Sequence, residues 1–179
     1  MSVLAVIDRG RVENIIKADL GHTVPGKTLV DISSMFPRPE TGNLYNGSVF
    51  SIDLTARKRA LKQIVNAVRD ERREDGVIYR GKTFQTDNAS VQSITRTSMV
   101  ADGGRETQDI VWRTSDNTDL TLTAAQFARL GDVVDRYIRQ VSRHGHGLKD
   151  AIEVASNQAE LAAVDLYGGW PGNDSGEMP

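Results

Sequence analysis

The sequence contains no cysteine, which excludes disulfides, thiolate metal sites and thiol nucleophiles. It also lacks a surplus of basic charge. Lys and Arg number 22 against 24 Asp and Glu, for a net charge of −2. A chain that gains affinity from phosphates needs the opposite balance, so nucleic acid is not an expected partner. No apolar run approaches the ~20 residues of a membrane helix, so no membrane is expected either. The opening Met1-Ser2-Val3-Leu4-Ala5-Val6-Ile7-Asp8 is apolar for only a few residues and has no basic leader. It reads as a strand and not as a signal peptide. No G-x-S-x-G nucleophile elbow occurs.

What is present is an ordinary globular composition, 39% hydrophobic and 26% charged, over 179 residues. That length suits one domain or two small ones. Three segments share one pattern, an apolar run, an X-Gly turn and a second apolar run. They are Val3–Ile7 with Arg9-Gly10 and Val12–Ile16, Leu44-Tyr45 with Asn46-Gly47 and Val49-Phe50, and Val77–Tyr79 with Arg80-Gly81 and Thr83-Phe84. Glycine takes the positive φ that tight hairpin turns require. A fourth hairpin is expected from Asp109–Trp112 through Ser115-Asp116-Asn117 to Leu120–Leu122, whose outgoing arm alternates as a half-buried strand does.

Helices are expected between these. Thr55 can cap the first, which runs to about Glu74 with Leu61, Ile64, Val65 and Val68 on one face. Its Arg69–Asp75 stretch reads as a solvated face with i,i+4 pairs, and Gly76 ends it. Asp87 or Asn88 opens a shorter helix carrying Val91, Ile94 and Ser98 or Met99. Thr123 and Gln126 form a capping box for the longest helix, from Phe127 through Leu130, Val133, Val134, Tyr137, Ile138 and Val141. Its period is expected to break at His144-Gly145-His146-Gly147, a hinge or kink, and to resume at Leu148 and Ile152. Ser156 can cap a last short helix with Leu161 and Val164.

The fold class is therefore α+β: a small N-terminal β-hairpin module (1–53), a connecting helix (54–75), a C-terminal domain (76–170) of two short hairpins with one long and two short helices, and a polar tail (171–179). Periodicity leaves open whether the first helix is a linker arm or part of the second core.

Several motifs invite a chemical reading. Gly21–Thr28 and Gly76–Thr83 both match G-x-x-x-x-G-K-[ST]. A phosphate loop needs a helix starting at its Lys. The first match runs into Leu29-Val30-Asp31-Ile32, a predicted strand, and the second places Lys82 beside a hairpin tip. Neither is expected to bind nucleotide. His144 and His146 are two residues apart with no evident third ligand, and His22 sits alone in a loop, so no metal is expected. Asp116 with Asp119, or Asp102 with Glu106, lack a pocket that would split their pKa values into acid and base. Trp112 is expected to pack into the core. Trp170, beside Pro171 in an open tail, can dock on the chain's own body or on a partner.

Residues from about Gly76 to Trp170 resemble a domain of unknown function that recurs in tail proteins of tailed bacteriophages. The carrying residues are the hairpin Val77–Asp87, the run Val111-Trp112-Arg113-Thr114-Ser115-Asp116-Asn117-Thr118-Asp119-Leu120-Thr121-Leu122-Thr123, then Leu148–Ile152 and Ala159–Asp165. The Leu44–Phe50 segment is similar to small β modules that open many tail-fibre and fibre-assembly proteins. The resemblance implies a structural component of the virion tail (tail tip, baseplate or tail-fibre adaptor), made in the host bacterial cytoplasm and linking neighbouring tail proteins. It implies no catalytic residues and no cofactor. A homo-oligomer is expected, a trimer favoured, from the rotational symmetry of such assemblies. A tail-fibre assembly chaperone that leaves before maturation is the alternative. An enzyme acting on cell-wall sugars would need two carboxylates across a cleft, and no pair recommends itself. The expected interface residues are Leu44, Tyr45, Val49 and Phe50 in the N-terminal hairpin and Tyr167, Trp170 and Pro171 near the C-terminus.

Overall fold

A computed structural model describes residues 1–176. It is a mixed α+β chain that divides into two compact units, Met1–Arg59 and the remainder from Ala60 on.

The N-terminal unit is a five-stranded sheet. Strands β1 (Ser2–Asp8) and β2 (Arg11–Ala18) form the expected hairpin about Arg9-Gly10, both with positive φ. Strand β3 (Thr28–Asp31), read from Leu29–Ile32, pairs antiparallel with the other side of β1. Strands β4 (Leu44–Tyr45) and β5 (Phe50–Ser51) complete the order β3-β1-β2-β4-β5. Ala5, Ile7, Val12 and Ile32 make its buried core, with Tyr45 and Phe50 packed against them.

Two local expectations change here. The Asn46-Gly47 turn is not a two-residue loop. Tyr45 pairs with Phe50, so Val49 lies in a four-residue loop and not in a strand. The Asn46 carboxamide organises that loop by accepting from the Ser48 and Val49 amides at 3.0 and 2.9 Å. The following helix, α1 (Leu54–Glu74), is capped by Asp53 and not by Thr55. One Asp53 oxygen accepts from Ala56 N at 2.9 Å and the other from Arg11 at 2.6 Å. A carboxylate gains more from a helix N-terminus than a hydroxyl does, and it draws in a cation as well.

The boundary between the units falls within α1. Beyond it, α1 runs antiparallel to the long helix α3 (Ala124–Val154). Lys62 pairs with Glu153 at 2.5 Å, Arg69 lies over Gly145, and Tyr137 donates its hydroxyl to Arg72 O. With Val65 fully buried and Val68 nearly so, this stretch of α1 belongs to the C-terminal core.

That core also holds two hairpins, β6 (Val77–Tyr79) with β7 (Lys82–Phe84) and β8 (Ile110–Arg113) with β9 (Asp119–Leu122), and the helices α2 (Asn88–Asp102) and α4 (Gln158–Ala162). Tyr79, Phe84, Ile94, Leu122, Phe127, Leu130, Val134 and Val141 are buried together. Trp112 packs on Phe127 with ring centroids 5.0 Å apart. The α2–α3 crossing is close because Gly131 faces Ser98: a Cβ at 131 would stand 2.5 Å from the Ser98 Cβ. Asp87 caps α2, and Thr123 with Gln126 forms the capping box of α3. Met99 is exposed, so Ser98 takes the inward position on α2. Asn157, and not Ser156, caps α4; Ser156 instead holds Glu160 through its amide and hydroxyl.

Two larger departures concern α3 and the tail. Helix α3 runs unbroken for 31 residues through His144–Gly147. Each glycine there lowers helix propensity by about 1 kcal/mol, but Gly145 is buried under Arg69 and Trp170, and tertiary packing outweighs the propensity. Residues 173–175 are not part of a free tail. Ile78 N donates to Asn173 O at 2.8 Å and Ser175 N to Ile78 O at 3.0 Å, a parallel addition to β6. Glu177 to Pro179, the last part of the expected polar tail, lie outside the described residues.

Candidate functional site

The C-terminal half of α3 and the chain that returns across it form an open concave surface. Ala155 leaves helical backbone and ends α3, α4 follows at once, and Asp165 then folds the chain back. The Asp165 carboxylate accepts from Gly168 N at 2.9 Å and Tyr167 N at 3.1 Å. Those amides, helped by the nearby His144, hold its pKa below the ordinary aspartate value. Gly169 sits at φ +72°, and a Cβ there would come within 3.1 Å of the His144 ring. The backbone thus calls for glycine, and a side chain would also press on the His144 ring.

His144 is the pivot. Its Nε2–H donates to Gly168 O at 3.1 Å, and its ring meets Trp170 edge-on with centroids 4.6 Å apart. The Trp170 indole N–H donates in turn to Leu166 O at 3.0 Å. Two open clefts meet at His144 and Leu148. One, of about 650 Å³, lies between Gln140, Arg143 and Gly147 of α3 and Pro171-Gly172. The other, of about 600 Å³, lies between Ala151 and Val154 of α3 and Ala163-Val164. Together they make a trough along α3 whose floor is Gln140, His144, Leu148, Ala151 and Ala155, residues that share one helical face.

His144 and His146 point away from one another, as residues two apart on a helix must. Among the described residues no three His, Asp or Glu converge as a metal site. The second G-x-x-x-x-G-K-[ST] match is the β6–β7 hairpin, and its Lys82 donates to Asp116 at 2.8 Å and Thr118 at 2.9 Å. Asp116 also accepts from Thr114 and Thr118, and Lys82 above all holds its carboxyl far below the usual range. That carboxylate closes the β8–β9 loop, and Ser115 N ties the loop to Thr83 O at 2.9 Å. The first match runs from a loop into β3. No helix follows either lysine.

The expected interface residues fall into two groups. Leu44, Val49 and Tyr167 are exposed, at 37%, 60% and 65%. Tyr45 and Phe50 stack on each other at 4.6 Å and are half-buried on the N-terminal core. Trp170 docks on the chain's own body, half-buried on the C-terminal core, and Pro171 lines the first cleft.

The family model described as a domain of unknown function (DUF4376) matches residues 56–166. The chain belongs to this family. The DUF4376 match begins inside α1, in keeping with the packing of α1 on α3, and ends at Leu166, before the Trp170 segment. No curated protein and no solved structure matches the chain. Among the described residues no helix is long and apolar enough to cross a membrane.

The trough escaped the sequence reading. Its one sequence signal is Gly147 and Ala151 of α3 and Ala155 at its C-cap, small residues at every fourth position that leave room above a helix.

Proposed function

We propose that this protein is a structural component of a tailed-phage virion, an adaptor at the tail tip, baseplate or fibre root that links neighbouring tail proteins and does not catalyse a reaction. The resemblance of residues 76–170 to a phage-tail domain motivates the reading. The structural observation that carries it is the apolar surface of the N-terminal unit. Phe36 is 99% exposed, and Leu44, Val49 and Ile52 are exposed with it. Leu44, Val49 and Ile52 lie in or beside β4 and β5, and β5 is an edge strand. An edge strand with apolar neighbours suits continuation by another chain. Repetition of that contact about a rotation axis would give a closed homo-oligomer, with a trimer favoured.

Immunogold labelling of purified tailed particles from the producing cells tests this directly. The reading expects label confined to the distal tail. Unlabelled but fibre-complete particles would remove it and put the assembly chaperone in its place.

A further inference from the structure

We propose that the trough along the C-terminal half of α3 is a peptide-docking groove, and that its occupant is an extended segment of a partner protein carrying a carboxylate for Arg143 and an aliphatic side chain for the Leu148–Val154 stretch. This is independent of the tail reading, because it concerns what the groove takes in any assembly.

Three observations support it. First, Gly147 has no internal reason to be glycine. Nothing lies within 4 Å of where its Cβ would stand, and its backbone is helical. A mid-helix glycine that nothing in the fold requires, opening onto a cleft, leaves space for another backbone to come close. Gly145, by contrast, is covered by Trp170 and Arg69. Second, the groove has apolar surface with no internal cover: Val154 is 80% exposed, and Leu148, Ala151 and Val164 line the cleft beside it.

Third, the charges are unequal in their satisfaction. Both carboxylates of the groove are already engaged inside the chain. Glu160 accepts from Ser156 and Asn157, and Asp165 accepts from Tyr167 and Gly168. Arg143, at the other end, has neither an ion pair nor a hydrogen bond among the described residues. Gln140 beside it has no such partner either. What the groove asks of a ligand is therefore a negative group at the Arg143 end and an apolar one at the Val154 end. The eleven residue steps from Arg143 to Val154 span about 16 Å of helix at ~1.5 Å each. An extended chain crosses that distance in about five residues at ~3.3 Å each. A single ion or small acid would meet Arg143 but leave the apolar half uncovered.

The test is selection of a yeast-displayed library of random dodecapeptides against the full chain, followed by binding titration of the enriched peptides. The expected consensus is Asp or Glu about five residues from Leu, Ile, Val or Met. Arg143→Glu and Ala151→Arg each replace an exposed side chain and are expected to leave the melting temperature unchanged. Each should weaken the selected peptide roughly tenfold or more, as removal of a complementary charge or blockage of a groove does. Enrichment of peptides without an acidic residue, or binding that both variants leave intact, would overturn the proposal. So would an empty selection. Sedimentation of the chain alone adds one further arm: self-association that Arg143→Glu abolishes would overturn the partner peptide in favour of a second copy.

Discussion

Replacing Trp170 by Ala should loosen the whole C-terminal segment, and the structure gives the size of the effect. The indole packs on the core of the C-terminal unit, lies over Gly145, meets His144 edge-on and donates to Leu166 O. Truncating a fully buried Trp costs about 3–5 kcal/mol. Trp170 is half-buried, so its packing share is about 2 kcal/mol. The indole hydrogen bond adds up to ~1 kcal/mol. The expected loss is about 2–3 kcal/mol, or roughly 10 °C in melting temperature for a unit of this size. Trp170→Phe keeps a ring against His144 but loses the N–H and part of the indole's packing over Gly145, so it should cost about 1–2 kcal/mol, less than the truncation to Ala. Thermal unfolding followed by calorimetry reads both variants. Hydrogen exchange supplies a local readout. The amides of Ile78 and Ser175 are protected only while residues 173–175 lie along β6, and they should exchange faster in Trp170→Ala. A Trp170→Ala protein that melts within the ~0.5 kcal/mol typical of surface changes, with both amides still protected, would refute the anchoring role.

Other substitutions separate the packing claims. Gly147→Ala should stabilise the protein by about 0.5–1 kcal/mol, because the helix gains propensity and no neighbour is displaced; a loss of stability in calorimetry would show that the position is crowded. Gly131→Leu should destabilise by about 1–3 kcal/mol through overpacking of the α2–α3 crossing at Ser98, read by denaturant titration. Asp116→Asn should weaken the β8–β9 loop in a pH-dependent manner. The folded-state pKa of Asp116 is depressed, chiefly by Lys82, so its contribution is present above the ordinary aspartate value of 3.8 and disappears as pH falls toward the folded value. The gap in melting temperature between wild type and variant should therefore be widest near neutrality and narrow in acid; a gap independent of pH would contradict the assignment.

The hairpins and helix starts were legible in the sequence because their determinants are local. Arg9-Gly10 and Arg80-Gly81 need positive φ and take it, and Thr123 with Gln126 closes a box that two side chains complete unaided. Asp53 was missed as the cap of α1 because its second partner, Arg11, is 42 residues away. The continuity of α3 through His144–Gly147 was illegible for the same kind of reason. Local propensity argues for a break, and only the contacts of Gly145 with Arg69 and Trp170 show why the helix persists. Residues 173–175 are polar and carry no strand pattern, yet they are ordered by hydrogen bonds to Ile78. The trough combines residues from two stretches of chain, so its sequence trace shrinks to small residues at every fourth position of α3 and its C-cap.

The central claim, that the chain is a resident part of a phage tail, meets its most direct test in quantitative mass spectrometry of density-purified tailed particles. The account predicts the chain in complete particles at a low copy number, in a multiple of three relative to the particle. Its absence from particles that are otherwise complete and infective would contradict the account.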